Sequence, residues 1–296
     1  MAHYSNQFLD YLIKVRRYSA HTLTAYRIDL NQFESYLANV YGVTECQQAD
    51  APMIRSWLAS LSKEKLSRRT FNRKVSCLRS FFHYLAREGV VDKNPMLKIR
   101  SLKPEERLPV FLDEERMEKL FERGDFGSDF PGLRDHLMLE LFYTTGIRLS
   151  ELIRLQHRHL DAGSAQIRIA GKGNKQRIIP LLKRLTDLYH SYCREKAVLH
   201  PAGPDDRVFI TDAGKPLYPM WVHRRVQRYM AMVSTKTRKS PHVIRHSFAT
   251  HMLNRGADLN AIKELLGHAN LSATQVYTHN SIEKIKRVYK QAHPKA

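Results

Sequence analysis

The chain has 296 residues, with 49 lysines and arginines against 29 acidic residues, a formal charge of +20 and an isoelectric point near 10.0. That surplus favours a polyanionic partner, and 43% hydrophobic residues with caps and turns throughout favour a folded nucleic-acid-binding protein over a basic ribosomal or membrane-surface one. No apolar run approaches the ~18 residues of a membrane span, the N-terminus lacks a signal-peptide core, and Cys46, Cys77 and Cys193 have no paired spacing for zinc or disulfides, so a soluble, unsecreted, cytoplasmic chain is expected.

The length favours two domains, and both halves are basic: residues 1–107 hold 18 basic against 10 acidic side chains, residues 108–296 hold 31 against 19. From Phe8 to about Glu88 apolar residues recur at helical spacing. Leu23, Tyr26, Leu30, Phe33 and Leu37 mark one buried face, and Phe71, Val75, Leu78, Phe82 and Leu85 mark another. Around them lie Arg55, Lys63, Lys65, Arg68, Arg69, Arg73, Lys74 and Arg79, with only Glu64 opposing. So little internal pairing favours contact with a DNA backbone over a merely solvated face, and Arg68, Arg69, Arg73 and Lys74 are the candidate contacts. Asn94-Pro95 is expected to end the fourth helix. The charged, apolar-poor stretch 98–109, broken by Pro104, reads as an exposed linker between a helical domain over 1–97 and a second domain over 110–296.

The second domain opens with predicted helices near 113–123 and 131–144. The period then changes: Gln166–Ala170 alternates as a strand, Gly171-Lys-Gly-Asn174 reads as a glycine-rich turn, and Gln176–Ile179 returns as a second strand. Helices resume near 182–199 and 219–234. Ser240-Pro241 starts another, with Gly256 suited to a left-handed helix end, and two short helices follow, one ending at Gly267 and one carrying Tyr277, before a terminal helix near 281–291.

Cleaving a phosphodiester without a metal requires a nucleophile, cations to hold the non-bridging oxygens, and an acid for the departing alkoxide. Three segments offer such groups. Arg148 follows a glycine turn at a helix start, where its planar fork and the nearby backbone amides could both face an oxyanion. His242 and Arg245 stand three apart on one predicted helix face, with Ile244 and Phe248 turned to the core. His242 and His246 have the four-residue spacing of a metal pair, but Val243 stands where a zincin has glutamate, so no metal is expected. His268 directly follows a helix-ending glycine, with Tyr277 nine residues later. Among 15 histidines and 14 tyrosines, either alone would read as packing or surface.

In this order the segments resemble the tyrosine recombinase, or phage integrase, family, and most closely the bacterial Xer recombinases. Thr145-Gly-Ile-Arg-Leu-Ser-Glu-Leu152 matches the arginine motif, Gly171-Lys-Gly-Asn-Lys-Gln-Arg177 the hairpin lysine, Pro241-His-Val-Ile-Arg-His246 the second box, and Leu266-Gly-His268 with Tyr277 the third. Thr22–Arg27 extends the likeness into the first domain, and the ending His293-Pro-Lys-Ala296 is nearer XerD than XerC. Ile147 and Leu149 stand where leucine and valine are commoner, and Val15 where a charged residue is frequent.

The resemblance implies a mainly α fold. A four-helix, SAM-like core-binding domain would precede a mostly helical catalytic domain with a small β-hairpin. It makes Tyr277 the nucleophile of a 3′-phosphotyrosyl intermediate, with Arg148 and Arg245 clamping the phosphate. His242 and His268 would add hydrogen bonds, one of them relaying a proton, and Lys172 would be the acid. Lys175 is the alternative acid and otherwise a DNA contact. No metal or nucleotide cofactor is needed, because the phosphotyrosyl ester conserves the energy for resealing. The implied partners are double-stranded DNA at a specific site, four subunits on two duplexes, a second Xer recombinase, and the FtsK translocase, in chromosome-dimer resolution at cell division. The final helix, with its stripe of Ile282, Ile285, Val288 and Tyr289, would dock on a neighbouring subunit or pack on its own domain. The alternatives are a mobile-element integrase, a type IB topoisomerase, and a DNA-binding protein without activity.

Overall fold

The computed structural model describes residues 3–63, 66–103, 110–170, 176–201, 206–235, 238–267, 288–289 and 291–295. Within it the chain divides into two units, Met1–Arg107 and Leu108–Ala296.

In the first unit, the helices α1 (His3–Lys14), α2 (Ala20–Tyr41), α3 (Ala51–Lys63) and α4 (Arg68–Arg87) surround one apolar core. Serines begin two of them: Ser19 accepts the Thr22 amide and Ser67 the Thr70 amide, satisfying donors that the first helical turn leaves open. The predicted stripes face inward, with Leu30, Phe33, Leu37, Val75, Leu78, Phe82 and Leu85 all buried. Asn94 does not end α4, which stops at Arg87. Its side chain instead accepts the Met96 amide and caps a 3₁₀ turn, Pro95–Lys98. The described part of the stretch expected as an exposed linker is exposed except at Ile99, and it is held to α4: Leu102 exchanges two backbone bonds with the Asn72 side chain, and Arg79 donates to the Ile99 carbonyl.

The basic face is narrower than the sequence suggests. Asp29 on α2 is fully buried, and both Arg73 and Lys74 donate to it, Lys74 Nζ at 2.9 Å. Lys74, itself buried, also reaches Gln32. These two cations neutralise an interior carboxylate, because an unpaired buried charge would cost several kcal/mol. Arg68 and Arg69 remain exposed at the start of α4.

The second unit is built on α6 (Phe130–Thr145), which is buried nearly all round from Leu137 to its end, as a central helix must be. Before it comes α5 (Glu114–Arg123), and after it α7 (Leu149–Ile153). A three-stranded antiparallel sheet follows, β1 (Leu160–Asp161), β2 (Gln166–Ala170) and β3 (Gln176–Pro180), with Ile167 opposite Ile179 and Ile169 opposite Arg177. β1 is too short to carry a periodic signal. Then come α8 (Lys183–Leu199), α9 (Pro219–Val233), α10 (Pro241–Asn254) and α11 (Leu259–Leu266). The helical residues 288–289 and 291–292 lie on this unit's own core: Tyr289 is buried and donates to the Thr144 carbonyl at 2.9 Å, and Val288 packs beside it. That end of the predicted docking stripe is therefore packed in its own domain, while Ile282 and Ile285 lie outside the described residues. No described helix is long and apolar enough to cross a membrane.

Candidate active site

Two sharp turns deliver the site. Helix α6 ends at Gly146, at φ +57°, where an added Cβ would meet Leu266 Cδ2 at 2.7 Å and Phe248 Cδ1 at 2.8 Å, so only glycine allows the chain to turn there. The next two residues bring Arg148 to the start of α7. Helix α11 ends at Gly267, at φ +66°, whose N–H reaches the Lys263 and Glu264 carbonyls and leaves those of Leu265, Leu266 and Gly267 to other partners.

Three arginines from three elements close on those carbonyls. Arg177 Nε donates to Leu265 O at 2.8 Å, Arg245 Nη2 to Leu266 O at 2.7 Å, and Arg148 Nη2 to Gly267 O at 2.8 Å. Arg245 also donates through Nη1 to the Gly146 carbonyl. The negative end of a helix dipole adds to the attraction for these cations.

One carboxylate serves the cluster. Glu151 Oε1 accepts from Arg148 Nη1 and Arg177 Nη1, both at 2.9 Å, and Oε2 accepts from the Arg148 amide at 2.8 Å and Arg177 Nη2 at 2.7 Å. Burial alone would raise the Glu151 carboxyl, but the hydrogen bonds and charge of Arg177, with those of Arg148, outweigh it and hold the group down to about 2. The Arg148 amide is thus spoken for by Glu151. Of the backbone amides expected to face a substrate oxyanion at this helix start, that of Arg148 does not, and its guanidinium is the group of this residue that can.

Three guanidiniums against one carboxylate leave the cluster with surplus positive charge. Arg245 shows the strain most: burial first, then repulsion from Arg148 and Arg177, lowers its proton affinity to about 9. A bound anion would relieve this, so the arrangement is suited to hold a phosphate. Arg148, with 35% of its side chain exposed, gives the cluster its opening to solvent.

His242 takes another position. It is exposed in the first turn of α10, where it lines a cleft of about 520 Å³ with His223, Arg238, Lys239 and His246. The clean separation of polar and apolar faces expected for this helix is absent. Arg245, Ser247 and His251 are buried along with Ile244 and Phe248, because α10 packs against both α6 and α11. The buried polar groups are satisfied: Ser247 Oγ accepts the Leu112 amide, and His251 bridges the Tyr143 hydroxyl and the Leu112 carbonyl. Lys172, Lys175, His268 and Tyr277 lie outside the described residues.

Of the expected phosphate-holding groups, the structure therefore brings Arg148 and Arg245 together. Sequence reading passed over Glu151 and Arg177. The signals were present, an acidic residue three positions after the helix-start arginine, and an arginine on the same strand face as Ile179.

Residues 110–284 match the phage integrase family, and residues 6–89 match its N-terminal SAM-like domain. The chain belongs to the phage integrase family. The tyrosine recombinase XerC of Listeria innocua is 39% identical over 292 residues, covering 98% of this chain and 97% of its own. XerC of Bacillus subtilis is 36% identical over 292 residues, covering 98% and 95%. Both carry the XerC name, against the leaning towards XerD expected from the C-terminal ending. Among solved phage integrase-like folds, the XerH site-specific recombinase bound to a palindromic difH substrate superposes with a TM-score of 0.73 over 96% of this chain and 83% of its own. At 24% identity, it bears on the fold alone.

Proposed function

We propose that the chain is a site-specific DNA recombinase that breaks and rejoins strands through a 3′-phosphotyrosyl intermediate on Tyr277. The observation that carries this reading is the convergence of Arg148 and Arg245, from distant stretches of sequence, on the end of α11. His268 follows that helix end directly in sequence, and Tyr277 comes nine residues later.

In this reading a phosphodiester lies against the two guanidiniums, which neutralise the charge that builds on its non-bridging oxygens. A free tyrosine ionises only near pH ~10, so neighbouring guanidiniums also favour the phenolate. The Tyr277 oxygen bonds to phosphorus as the bond to the 5′-oxygen breaks, and Lys172 gives that oxygen its proton. His242 and His268 supply hydrogen bonds to the phosphate. The ester keeps the energy of the broken bond, so a 5′-hydroxyl from another strand reverses the step and reseals the DNA.

The XerC names and full-length coverage of the relatives favour chromosome-dimer resolution over integration of a mobile element. A tetramer on two duplexes belongs to the same proposal. The test is incubation with nicked duplexes bearing candidate sites, without magnesium, followed by denaturing electrophoresis. The wild-type chain forms a protein–DNA adduct and Tyr277→Phe forms none. Arg148→Ala still binds DNA but loses ~10²–10³ in adduct rate. An undiminished adduct from Tyr277→Phe would end the proposal.

A further inference from the structure

We propose that Arg177 is a positioning residue for strand cleavage, the brace that fixes Arg148 and the end of α11 in one orientation. The proposal rests on the recombinase reading for its chemistry but not for its geometry.

Arg177 sits where an aliphatic side chain would be the simpler choice. In β3 it shares the inward face with Ile179, stands opposite Ile169, and has 5% of its side chain exposed. Burying a guanidinium there is costly unless every direction of its fork is used. All three kinds of donor are used. Nε holds the Leu265 carbonyl, while Nη1 and Nη2 grip the two oxygens of Glu151 as a bidentate pair at 2.9 and 2.7 Å.

Each of those partners is tied to Arg148 or belongs to the end of α11. Glu151 holds Arg148 by both its amide and its guanidinium. Leu265 is two residues before Gly267, whose carbonyl Arg148 also takes, and three before His268. The packing is close enough that a Cβ on Gly267 would stand 3.1 Å from Arg177 Nη1. Without Arg177, Glu151 would keep Arg148 as its only partner among these arginines, and the Leu265 carbonyl would lose its donor. Nothing would then tie the sheet to the end of α11 through this group. Lysine cannot replace it, because a single ammonium lacks the planar fork that spans a carboxylate and a carbonyl together. Nothing places Arg177 against the phosphate itself, so it acts through Arg148 and the α11 terminus.

The test compares Arg177→Met and Arg177→Lys with the wild-type chain. Both variants are expected to bind duplex DNA with the wild-type salt dependence, since the Nε, Nη1 and Nη2 of Arg177 are turned to Leu265 and Glu151 rather than to a phosphate. Adduct formation on a nicked site falls ~10²-fold in Arg177→Met, the loss typical of a reacting group misplaced by about 1 Å, and nearly as far in Arg177→Lys. Methylguanidine added to Arg177→Ala restores part of the rate. The second measurement needs no DNA: in nitrogen-15 spectra of the free protein, the Nη groups of Arg148 rotate slowly in the wild type and freely in Arg177→Met. If those signals are unchanged in the variant, or if Arg177→Lys cuts at the wild-type rate, the positioning role is overturned. If the wild-type chain itself forms no adduct at any site, the recombinase reading fails, and the Arg148 signals still decide the brace.

Discussion

Arg148 and Gly267 meet across the candidate site: the Nη2 of one donates to the carbonyl of the other at 2.8 Å, joining the turn after α6 to the end of α11. The contact depends on Gly267 being able to turn the chain at φ +66° with both Arg177 and Arg148 close by. An added Cβ would lie 3.1 and 3.5 Å from their Nη1 atoms. Gly267→Ala should therefore cost about 1–2 kcal/mol from the left-handed backbone alone. Its adduct rate should fall further than that loss of stability explains. Chemical denaturation and single-turnover adduct formation on the same variant check the two parts separately.

Glu151 should make the second unit sensitive to acid. Its carboxyl is held at about 2, against an ordinary 4.5 that represents the unfolded chain. A carboxyl lowered in the folded state stabilises fully above the unfolded value, and that stabilisation drains away as pH falls from about 4.5 towards 2. The group's share of the loss between about pH 6 and pH 3 is about 2 kcal/mol. Glu151→Gln should thus be less stable than wild type at neutral pH but show a correspondingly shallower decline on acidification. Glu140, held at about 2 against burial by its bonds and charge pairs with His136, Lys295 and Arg184, keeps a similar decline in both proteins. Urea melts at several pH values measure the difference, and equal slopes would show that Glu151 is not held as described.

Most of the helical framework could be read from the sequence because helix signals are local. The stripes of α2 and α4, the glycine at 267 and the proline opening α10 act through neighbours within a few residues. Pairing across the chain was not legible. Asp29 captures Arg73 and Lys74 from a different helix, and no pattern near either lysine or arginine announces this. Glu151 and Arg177 were hidden for the same reason, since their meaning lies in the meeting of α7 with β3. Arg148 and Arg245 were found through family motifs, whereas their shared seat on the end of α11 is a tertiary fact.

The Asp29 pairing separates two kinds of cation on α4. Arg68→Ala and Arg69→Ala, alone or together, should weaken DNA binding and reduce the slope of log affinity against log salt by about 0.9 for each phosphate contact removed. Lys74→Met should leave that slope alone and instead lower stability, because it removes one of two cations from a fully buried carboxylate. Asp29→Ala should be worse, at about 3–5 kcal/mol, since it strands the buried lysine. Salt titrations by fluorescence anisotropy, paired with denaturant melts, test the division. A lowered salt slope in Lys74→Met would place that lysine on the DNA after all.

The C-terminal stretch bears the last prediction. Tyr289 is buried to 1% exposure, its ring stacks on His293 with centroids 4.7 Å apart, and its hydroxyl holds the Thr144 carbonyl two residues before Gly146. Lys295 anchors the end of the chain on Glu140 at 2.8 Å. Tyr289→Ala should therefore cost ~3–5 kcal/mol, as for other large aromatic truncations, and Tyr289→Phe about 1 kcal/mol through the lost hydrogen bond. Removing everything after Asn280 deletes the ring and the Lys295 anchor together, so the shortened chain should unfold at distinctly lower denaturant concentration before any question of subunit contact arises. Any loss of synapsis in such a chain then has to be compared with Tyr289→Ala at matched stability. A truncated chain as stable as the full one would mean that residues 288–295 contribute nothing to the core on which they lie.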